Sequence, residues 1–261
     1  MQILDSVFIV TGGASGLGEQ VVRTLVSHGG NVVILDLNAE RAKKLVEELG
    51  SQVYCPGSVN VTCEESVTKA IETAMGVYKD IPLVGAVLCS GVIVPPTSLP
   101  GYGPNGMLTS YKQFESIMKV NVLGSYNVAE KVVPYMIKNQ PFNDDGERGV
   151  IISVSSILGL DGVTVGYGTS KAAIAGLTFP LANELAPYGI RVMSIAPSAF
   201  ATPLLDKLAV KAPVSPFPKR LGQPTEFADL VIHVIHNVML NGSVIRLDGA
   251  LRAVPFGEPL Q

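Results

Sequence analysis

Apolar and polar positions along this chain switch between two periods, and the switching predicts its elements. Val7-Phe8-Ile9-Val10, Val32-Val33-Ile34-Leu35, Leu83 to Leu88, Val150-Ile151-Ile152 and Ile190 to Ile195 are short, nearly unbroken apolar runs. Such runs suit strands buried on both faces of a parallel sheet. Shorter or more polar stretches near Val53 and from Ser243 to Leu247 are predicted to add two more. Between them the spacing becomes helical. Val21, Val22, Leu25 and Val26 share a face within Glu19 to His28, a second helix ends at Gly50, and a third covers Glu64 to Tyr78. Phe114, Ile117, Met118, Val122 and Val128 predict one long helix from Tyr111 to Lys138, kinked at Pro134. Further helices begin at Tyr167 and cover Glu226 to Val238. Strand alternating with helix, without repeats or low-complexity tracts, predicts one α/β domain over 1–261. Its core is a doubly wound parallel sheet of about seven strands with helices on both faces.

Two stretches interrupt the alternation. Val92 to Ser110 carries Pro95, Pro96, Pro100 and Pro104, and Ala199 to Gln223 carries Pro203, Pro213, Pro216 and Pro218. Both leave the carboxyl ends of strands, where loops line ligand crevices. The second is expected to be a substrate lid, with Leu204, Leu205, Leu208 and Val210 as an apolar cover. Its Lys207, Lys211, Lys219 and Arg220 are candidates to meet the phosphates of a CoA ester.

Composition narrows the class. The 261 residues are 47% hydrophobic and 16% charged, against about 25% charged in an ordinary soluble domain. With a mean hydropathy of +0.37, some apolar surface is expected to be covered by other subunits. A net charge of -3 and no long basic run argue against a nucleic-acid partner. Cys55, Cys63 and Cys89 form no CxxC and point to a reducing compartment. The first strand begins within a few residues of Met1, so no targeting segment is expected, and a cytoplasmic location follows. The longest apolar run, Leu83 to Val94, is interrupted and falls short of the ~20 residues that span a bilayer, so no membrane segment is expected.

The candidate chemistry begins at Thr11-Gly12-Gly13-Ala14-Ser15-Gly16-Leu17-Gly18, between the first strand and the first helix. A strand, a glycine turn and a helix start place backbone N–H groups and the positive helix end around an anion. Gly12, Gly16 and Gly18 let the backbone approach a pyrophosphate. Asp36 ends the second strand about 20 residues further on, where a carboxylate accepts hydrogen bonds from an adenosine ribose. It would repel a 2′-phosphate, and Gly13, Ala14, Ser15 and Leu37 offer no basic group to receive one, so NAD is expected rather than NADP. Asn38 is better placed than Asp36 to cap the following helix. Asn60 either hydrogen-bonds an adenine amino group or caps its own turn. Cys89-Ser90-Gly91, after the fourth strand, would let a cofactor pass close to the backbone. Asn121, placed mid-helix, either bonds backbone or water internally or makes an incidental contact. His233 and His236 have no carboxylate or cysteine nearby to complete a metal site, so no metal is expected.

Tyr167 and Lys171 stand one helical turn apart. A free phenol titrates near ~10, and a cation beside it lowers that value by roughly 1–3 units, which would make Tyr167 a usable proton donor and acceptor; the alternative is an ordinary surface pair on a helix.

Taken together, Thr-Gly-x-x-x-Gly-x-Gly at Thr11 to Gly18, Asp36, Asn121, a serine-rich strand end and Tyr-x-x-x-Lys resemble the short-chain dehydrogenase/reductase family over essentially the whole chain. The resemblance implies a Rossmann-type fold, Tyr167 as general acid/base, Lys171 lowering its pKa and holding the nicotinamide ribose, and Ser156 orienting the substrate oxygen. It also implies Asn121 fixing a water relay. The C-terminal third, from Ile195-Ala196-Pro197 through Pro216 to Gly222 and Leu240 to Ala250, is similar to the type II 3-hydroxyacyl-CoA dehydrogenase branch. That similarity implies NAD, a homotetramer and fatty-acyl or steroid alcohols as substrates, with Thr202 and the backbone near Phe200 holding the nicotinamide carboxamide. The implied cofactor contacts are Gly12, Ser15, Gly16, Leu17, Gly18, Asp36, Asn60, Val61, Cys89, Ser90, Gly91, Tyr167, Lys171, Pro197, Phe200 and Thr202.

The chain departs from the family pattern at Cys89-Ser90-Gly91 (usually Asn-Ala-Gly), at Pro197-Ser198 (usually Pro-Gly) and at Asn60 (usually Asp). Ser156 lies eleven residues before Tyr167, two fewer than is usual, so either the intervening loop is shortened or Ser155 supplies the hydroxyl. The alternation of Ser153 and Ser155 on one strand face favours Ser156. The leading expectation is hydride transfer between NAD and an apolar secondary alcohol or acyl-CoA. A steroid or general alcohol dehydrogenase, or a non-catalytic NAD sensor or scaffold, are the alternatives.

Overall fold

The computed structural model describes residues 2–94, 97–98, 107–206 and 214–253. The strands are β1 (Val7–Thr11), β2 (Asn31–Leu35), β3 (Val53–Tyr54), β4 (Leu83–Leu88), β5 (Thr97–Ser98), β6 (Met107–Leu108), β7 (Gly149–Val154), β8 (Ile190–Pro197) and β9 (Val244–Leu247). The helices are α1 (Gly16–Ser27), α2 (Ala39–Leu49), α3 (Glu64–Val77), α4 (Tyr111–Met118), α5 (Gly124–Ile137), α6 (Ile157–Leu160), α7 (Val165–Leu185), α8 (Pro203–Asp206) and α9 (Pro224–His236). Seven strands form one parallel sheet in the order β3-β2-β1-β4-β7-β8-β9. From β1 the chain winds outward through β2 and β3, then returns to β4 on the other side, so the topological switch lies between β1 and β4. Ligands bind such sheets beyond the carboxyl ends of the strands at that switch.

Alternate strand residues feed two cores, as strands covered on both faces must. Phe8, Val10, Val32 and Ile34 pack with Val22 and Leu25 of α1, Leu45 of α2 and Phe227 and Val231 of α9. Val7, Ile9, Val33 and Leu35 pack with Ile71 of α3, Val132 of α5 and Leu185 of α7. The second core also receives the C-terminal half of the Tyr167 helix, which anchors that helix away from its reactive end.

Three expectations need correction. The long helix from Tyr111 to Lys138 is not continuous: a π turn at Lys119–Leu123 interrupts it, and Pro134 lies within α5 beyond that turn. The widened turn lets Asn121 direct its amide inward, where it is fully buried and hydrogen-bonded. Within Val92 to Ser110, Thr97–Ser98 and Met107–Leu108 pair as a two-residue antiparallel ladder instead of remaining irregular. Within Ala199 to Gln223, Pro203–Asp206 is one turn of helix; Lys207, Leu208, Val210, Lys211 and Pro213 lie outside the described residues. Among the described residues, no helix is long and apolar enough to cross a membrane.

One buried ion pair was not legible in the pattern. Arg191, pointing from β8, pairs with Glu147 at 2.7 Å and donates to the carbonyls of Val234, Ile235 and Leu240. It thereby satisfies the last carbonyls of α9, which no later turn of that helix can reach.

Candidate active site

The glycine turn is shaped by exclusion. Gly12 has φ +62°, and a Cβ there would stand 3.0 Å from the Ser90 amide nitrogen, so the turn lies directly against the end of β4. A Cβ on Gly18 would run into the Gly12 carbonyl, so the start of α1 closes on the turn without room for a side chain. Ser15 is extended and makes no side-chain cap, leaving the N-terminus of α1 facing the turn. The Asp36 carboxylate borders the same turn, accepting from the Ala14 amide at 3.1 Å and the Asn38 amide at 2.8 Å. Asn38, not Asp36, caps α2, through the Arg41 amide at 3.0 Å. Thr202 overhangs from the far side, since a Cβ on Gly16 would stand 3.4 Å from its methyl. A backbone cradle that rejects side chains, an uncapped helix start and a carboxylate at the rim fit a dinucleotide.

Around that turn the remaining expected contacts divide. Asn60 is exposed, and its Oδ1 accepts from the Thr62 amide at 3.0 Å and the Thr62 hydroxyl at 2.9 Å. Of its two sequence readings, the geometry is that of a turn cap. Val61 is buried beneath α5, with its carbonyl held by Asn127 Nδ2 at 2.8 Å. Leu17 packs against the core, and Phe200 turns its ring into it, edge-on to Phe227 with centroids 6.4 Å apart. Pro197 ends β8 beside Leu247 of β9.

The second cluster sits past β7. Ser155 is fully buried and donates to the Lys171 carbonyl at 2.7 Å, so its hydroxyl is spent on α7. Ser156, one residue on, caps α6 through the Leu158 amide at 3.2 Å and faces the Tyr167 phenol closely enough to lower its pKa. Burial has the larger effect, and Tyr167 is pushed up to about 12. Lys171 is buried too; its Nζ donates to the Val154 carbonyl at 2.7 Å and lies 5.7 Å from the Tyr167 ring centroid. Burial lowers it to about 8. The expected depression of the phenol by Lys171 is therefore corrected: burial raises the phenol, the group that lowers it is Ser156, and the ammonium is turned to the Val154 carbonyl and itself desolvated.

Asn121 ties this cluster to β4. Its Oδ1 accepts from the Val92 amide at 2.7 Å, and its Nδ2 donates to the Val92 carbonyl at 3.0 Å and to Ser170 Oγ at 2.9 Å. Ser170 Oγ in turn donates to the Tyr167 carbonyl at 2.7 Å. The Asn121 side chain thus holds the loop after β4 against α7. Gly91 passes over both groups, since a Cβ there would stand 3.4 Å from Asn121 Oδ1 and from Lys171 Nζ. The Cys89 thiol, beside Lys171, is pushed up to about 12 by burial.

Sequence reading missed the residues that hold the loop between Ser156 and Tyr167. Asp161 in that loop receives both terminal nitrogens of Arg246 from β9, at 2.7 and 3.0 Å. Thr109 accepts from the Gly166 amide at 3.2 Å. A charged residue opposite a loop 85 positions away leaves no periodic signal. In contrast, Arg220, expected to be available to a ligand phosphate, is bound bidentately to Glu226 at 2.7 and 2.8 Å. Lys219 beside it is exposed.

Known proteins are similar to this chain over nearly its full length. The short chain dehydrogenase family model matches residues 6–212. The 3-hydroxyacyl-CoA dehydrogenase type-2 of Homo sapiens is 40% identical over 258 residues, covering 95% of this chain and 96% of that protein. The crystal structure of 3-hydroxyacyl-CoA dehydrogenase type-2 from Mycobacterium avium superposes with a TM-score of 0.86 at 38% identity, covering 96% of each chain. A 3-ketoacyl-(acyl-carrier-protein) reductase from Brucella melitensis complexed with NADH gives 0.81 at 26% identity, covering 95% of this chain and 99% of that one. A glycine turn at the sheet's switch point with a Ser-Tyr-Lys cluster beside it is thus joined to sequence likeness over nearly the full length, and the chain belongs to the short-chain dehydrogenase family of oxidoreductases.

Proposed function

We propose that this protein transfers hydride between NAD and an apolar secondary alcohol or ketone, with 3-hydroxyacyl-CoA esters as the substrate class. The observation that carries the reading is the juxtaposition of Ser156 and Tyr167, with buried Lys171 beside the phenol. In this reading the Tyr167 hydroxyl exchanges the proton of the substrate oxygen and Ser156 Oγ holds that oxygen. Lys171 contributes a positive charge beneath the phenol. Gly12 to Gly18 would hold the pyrophosphate of NAD and Asp36 its adenosine ribose, and the bound cofactor would supply the hydride acceptor. With Tyr167 at about 12, the phenol is a donor at neutral pH, so alcohol oxidation, which needs the phenolate, should accelerate as pH rises. Carbonyl reduction should slow over the same range.

The named relatives support the acyl-CoA class. The engagement of Arg220 by Glu226 favours a second reading, an apolar alcohol dehydrogenase that makes no phosphate contact on this segment. Following NADH absorbance with 3-hydroxyacyl-CoA esters and with uncharged secondary alcohols separates them. Turnover on the esters at tenfold or more higher kcat/KM supports the first reading, and parity supports the second. Turnover on neither, with tight NAD binding, would leave a non-catalytic NAD sensor. Assembly into a homotetramer belongs to the same proposal. The exposed Leu123 at the end of the π turn, Tyr126 on α5 and Phe179 on α7 support it, and light scattering should give about four times the 27.5 kDa chain mass.

A further inference from the structure

We propose that Arg246 and Asp161 are positioning residues for Ser156 and Tyr167, forming a clamp through which the C-terminal strand fixes the loop joining the two hydroxyls. The inference rests on the functional reading of that pair given above.

Ser156 and Tyr167 are the two ends of one short segment, so the spacing of their hydroxyls depends on how residues 157–166 are folded. That segment is one helical turn, α6, followed by a tight return onto α7. The return passes through Thr164 at φ +65°, a conformation unfavourable for a β-branched residue, with its Oγ1 accepting from the Gly168 amide at 3.0 Å. A turn of this kind persists only where its surroundings over-determine it.

Asp161 supplies that constraint. Its two oxygens take the fork of Arg246, and Oδ2 also accepts from the Ala253 amide at 2.7 Å. Arg246 directs its Nε to Asp248 at 2.6 Å and a second bond to the Leu251 carbonyl at 3.0 Å. Arg252 completes the cluster on Asp248 at 2.9 Å. A planar guanidinium gripping two carboxylates fixes direction as well as distance, which a lysine cannot do. The carboxylates are shielded, with Asp161 and Asp248 side chains 10% and 9% exposed. Arg246 holds Asp161 below the usual carboxylate range, so the pair stays charged across the working pH range. The ion pairs of Arg23 with Glu19 and Glu48 are more exposed and join only α1 and α2. The same strand end also reaches the opposite wall of the cleft, where Leu247 accepts from the Ser198 amide at 3.1 Å and Gly249 from the Phe217 amide at 3.4 Å.

The test uses the full-length protein and compares Arg246→Met, Arg246→Lys and Asp161→Asn for kcat, KM for NAD and the pH dependence of alcohol oxidation. Arg246→Met is expected to lower kcat at least tenfold while KM for NAD stays within about twofold. It should also move the half-maximal pH upward, because Ser156 no longer opposes the burial effect on the phenol. Arg246→Lys should recover part of the loss, and the Arg246→Met/Asp161→Asn double variant should be no worse than the more impaired single one. A purely structural pair would change the unfolding temperature and leave the pH midpoint alone. Should Arg246→Met not fold, Asp161→Asn keeps the shape and the Ala253 contact and carries the same prediction. Unchanged kcat and pH midpoint in a folded variant would overturn the clamp. Tyr167→Phe, run in parallel, separates the two levels. If it is inactive while the clamp variants behave as wild type, only the clamp fails; if it turns over normally, the reading of the site fails and the clamp with it.

Discussion

Two loops leave the same edge of the sheet, with only β4 between their strands, and they are fixed by opposite means. The turn after β1 owes its shape to missing side chains: a Cβ on Gly18 would collide with the Gly12 carbonyl, and Gly12 itself combines a φ of +62° with backbone 3.0 Å from where a Cβ would stand. The loop after β7 owes its shape to side chains that are present, Ser155 bonded to the Lys171 carbonyl, Thr164 to Gly168, and Asp161 to Arg246 from the far end of the chain. The first needs only its own residues and the strand beside it. The second needs partners on α7 and on β9, up to 85 residues away. A rigid anion cradle can therefore be written locally, whereas a proton-transfer pair depends on much of the fold.

The sharpest way to break the comparison is at the first loop. Gly18→Ala places a Cβ against the Gly12 carbonyl, and because backbone meets backbone no rotamer relieves it. A destabilisation of about 3 kcal/mol or more is expected, with NAD affinity reduced at least hundredfold. Thermal unfolding and a fluorescence titration with NADH would measure both. Wild-type stability with normal binding would show that the turn is not set by exclusion.

The second loop makes a prediction through Lys171, whose pKa falls from 10.5 to about 8 on burial. Between those values the unfolded chain holds a proton that the folded protein has released. Stability should therefore rise with pH from about 8 to 10.5, by roughly 3 kcal/mol. Tyr167 acts in the opposite sense at higher pH: its folded value of about 12 exceeds 10.0, so stability should fall between them. Lys171→Met should abolish the first rise and spare the later fall. A denaturant-midpoint series against pH checks this, and an identical profile in the variant would contradict the burial of the ammonium.

A smaller effect belongs to the rim of the first loop. Asp36→Ala should lower the preference for NAD over NADP by about tenfold or more, equivalent to about 1.4 kcal/mol. An unchanged ratio of kcat/KM values would remove Asp36 from cofactor choice. The smallest expected effect concerns the segment before α9. Lys219→Ala should raise KM for a CoA ester by a few-fold and leave an uncharged alcohol unchanged. Arg220→Ala is the less informative variant, because it also releases Glu226, which Arg220 holds at about 2.

The contrast between the loops also explains what was legible in the chain. Strand runs such as Val32 to Leu35 and the glycine turn are local patterns, and the structure places them as read. The π turn at Lys119–Leu123 was not legible, because its cause lies elsewhere: Asn121 reaches Val92 and Ser170, partners 29 and 49 residues distant. The alternation that favoured Ser156 over Ser155 agrees with the burial of Ser155, but only the fold shows that its hydroxyl is engaged by Lys171. The pairing of Tyr167 with Lys171 was visible as a spacing, yet its electrostatics were not. Spacing places an ammonium one turn from a phenol, and the depth of burial decides which of the two is perturbed, and in which direction.

The central claim, that Tyr167 is the proton-transfer group of this site, is tested most directly by single-turnover hydride transfer in Tyr167→Phe with NAD bound. The substitution keeps the ring and removes only the hydroxyl. The account predicts NAD binding within about twofold of wild type and a rate lower by about a hundredfold or more, with the pH dependence of oxidation abolished. A rate close to wild type with the pH dependence intact would contradict it.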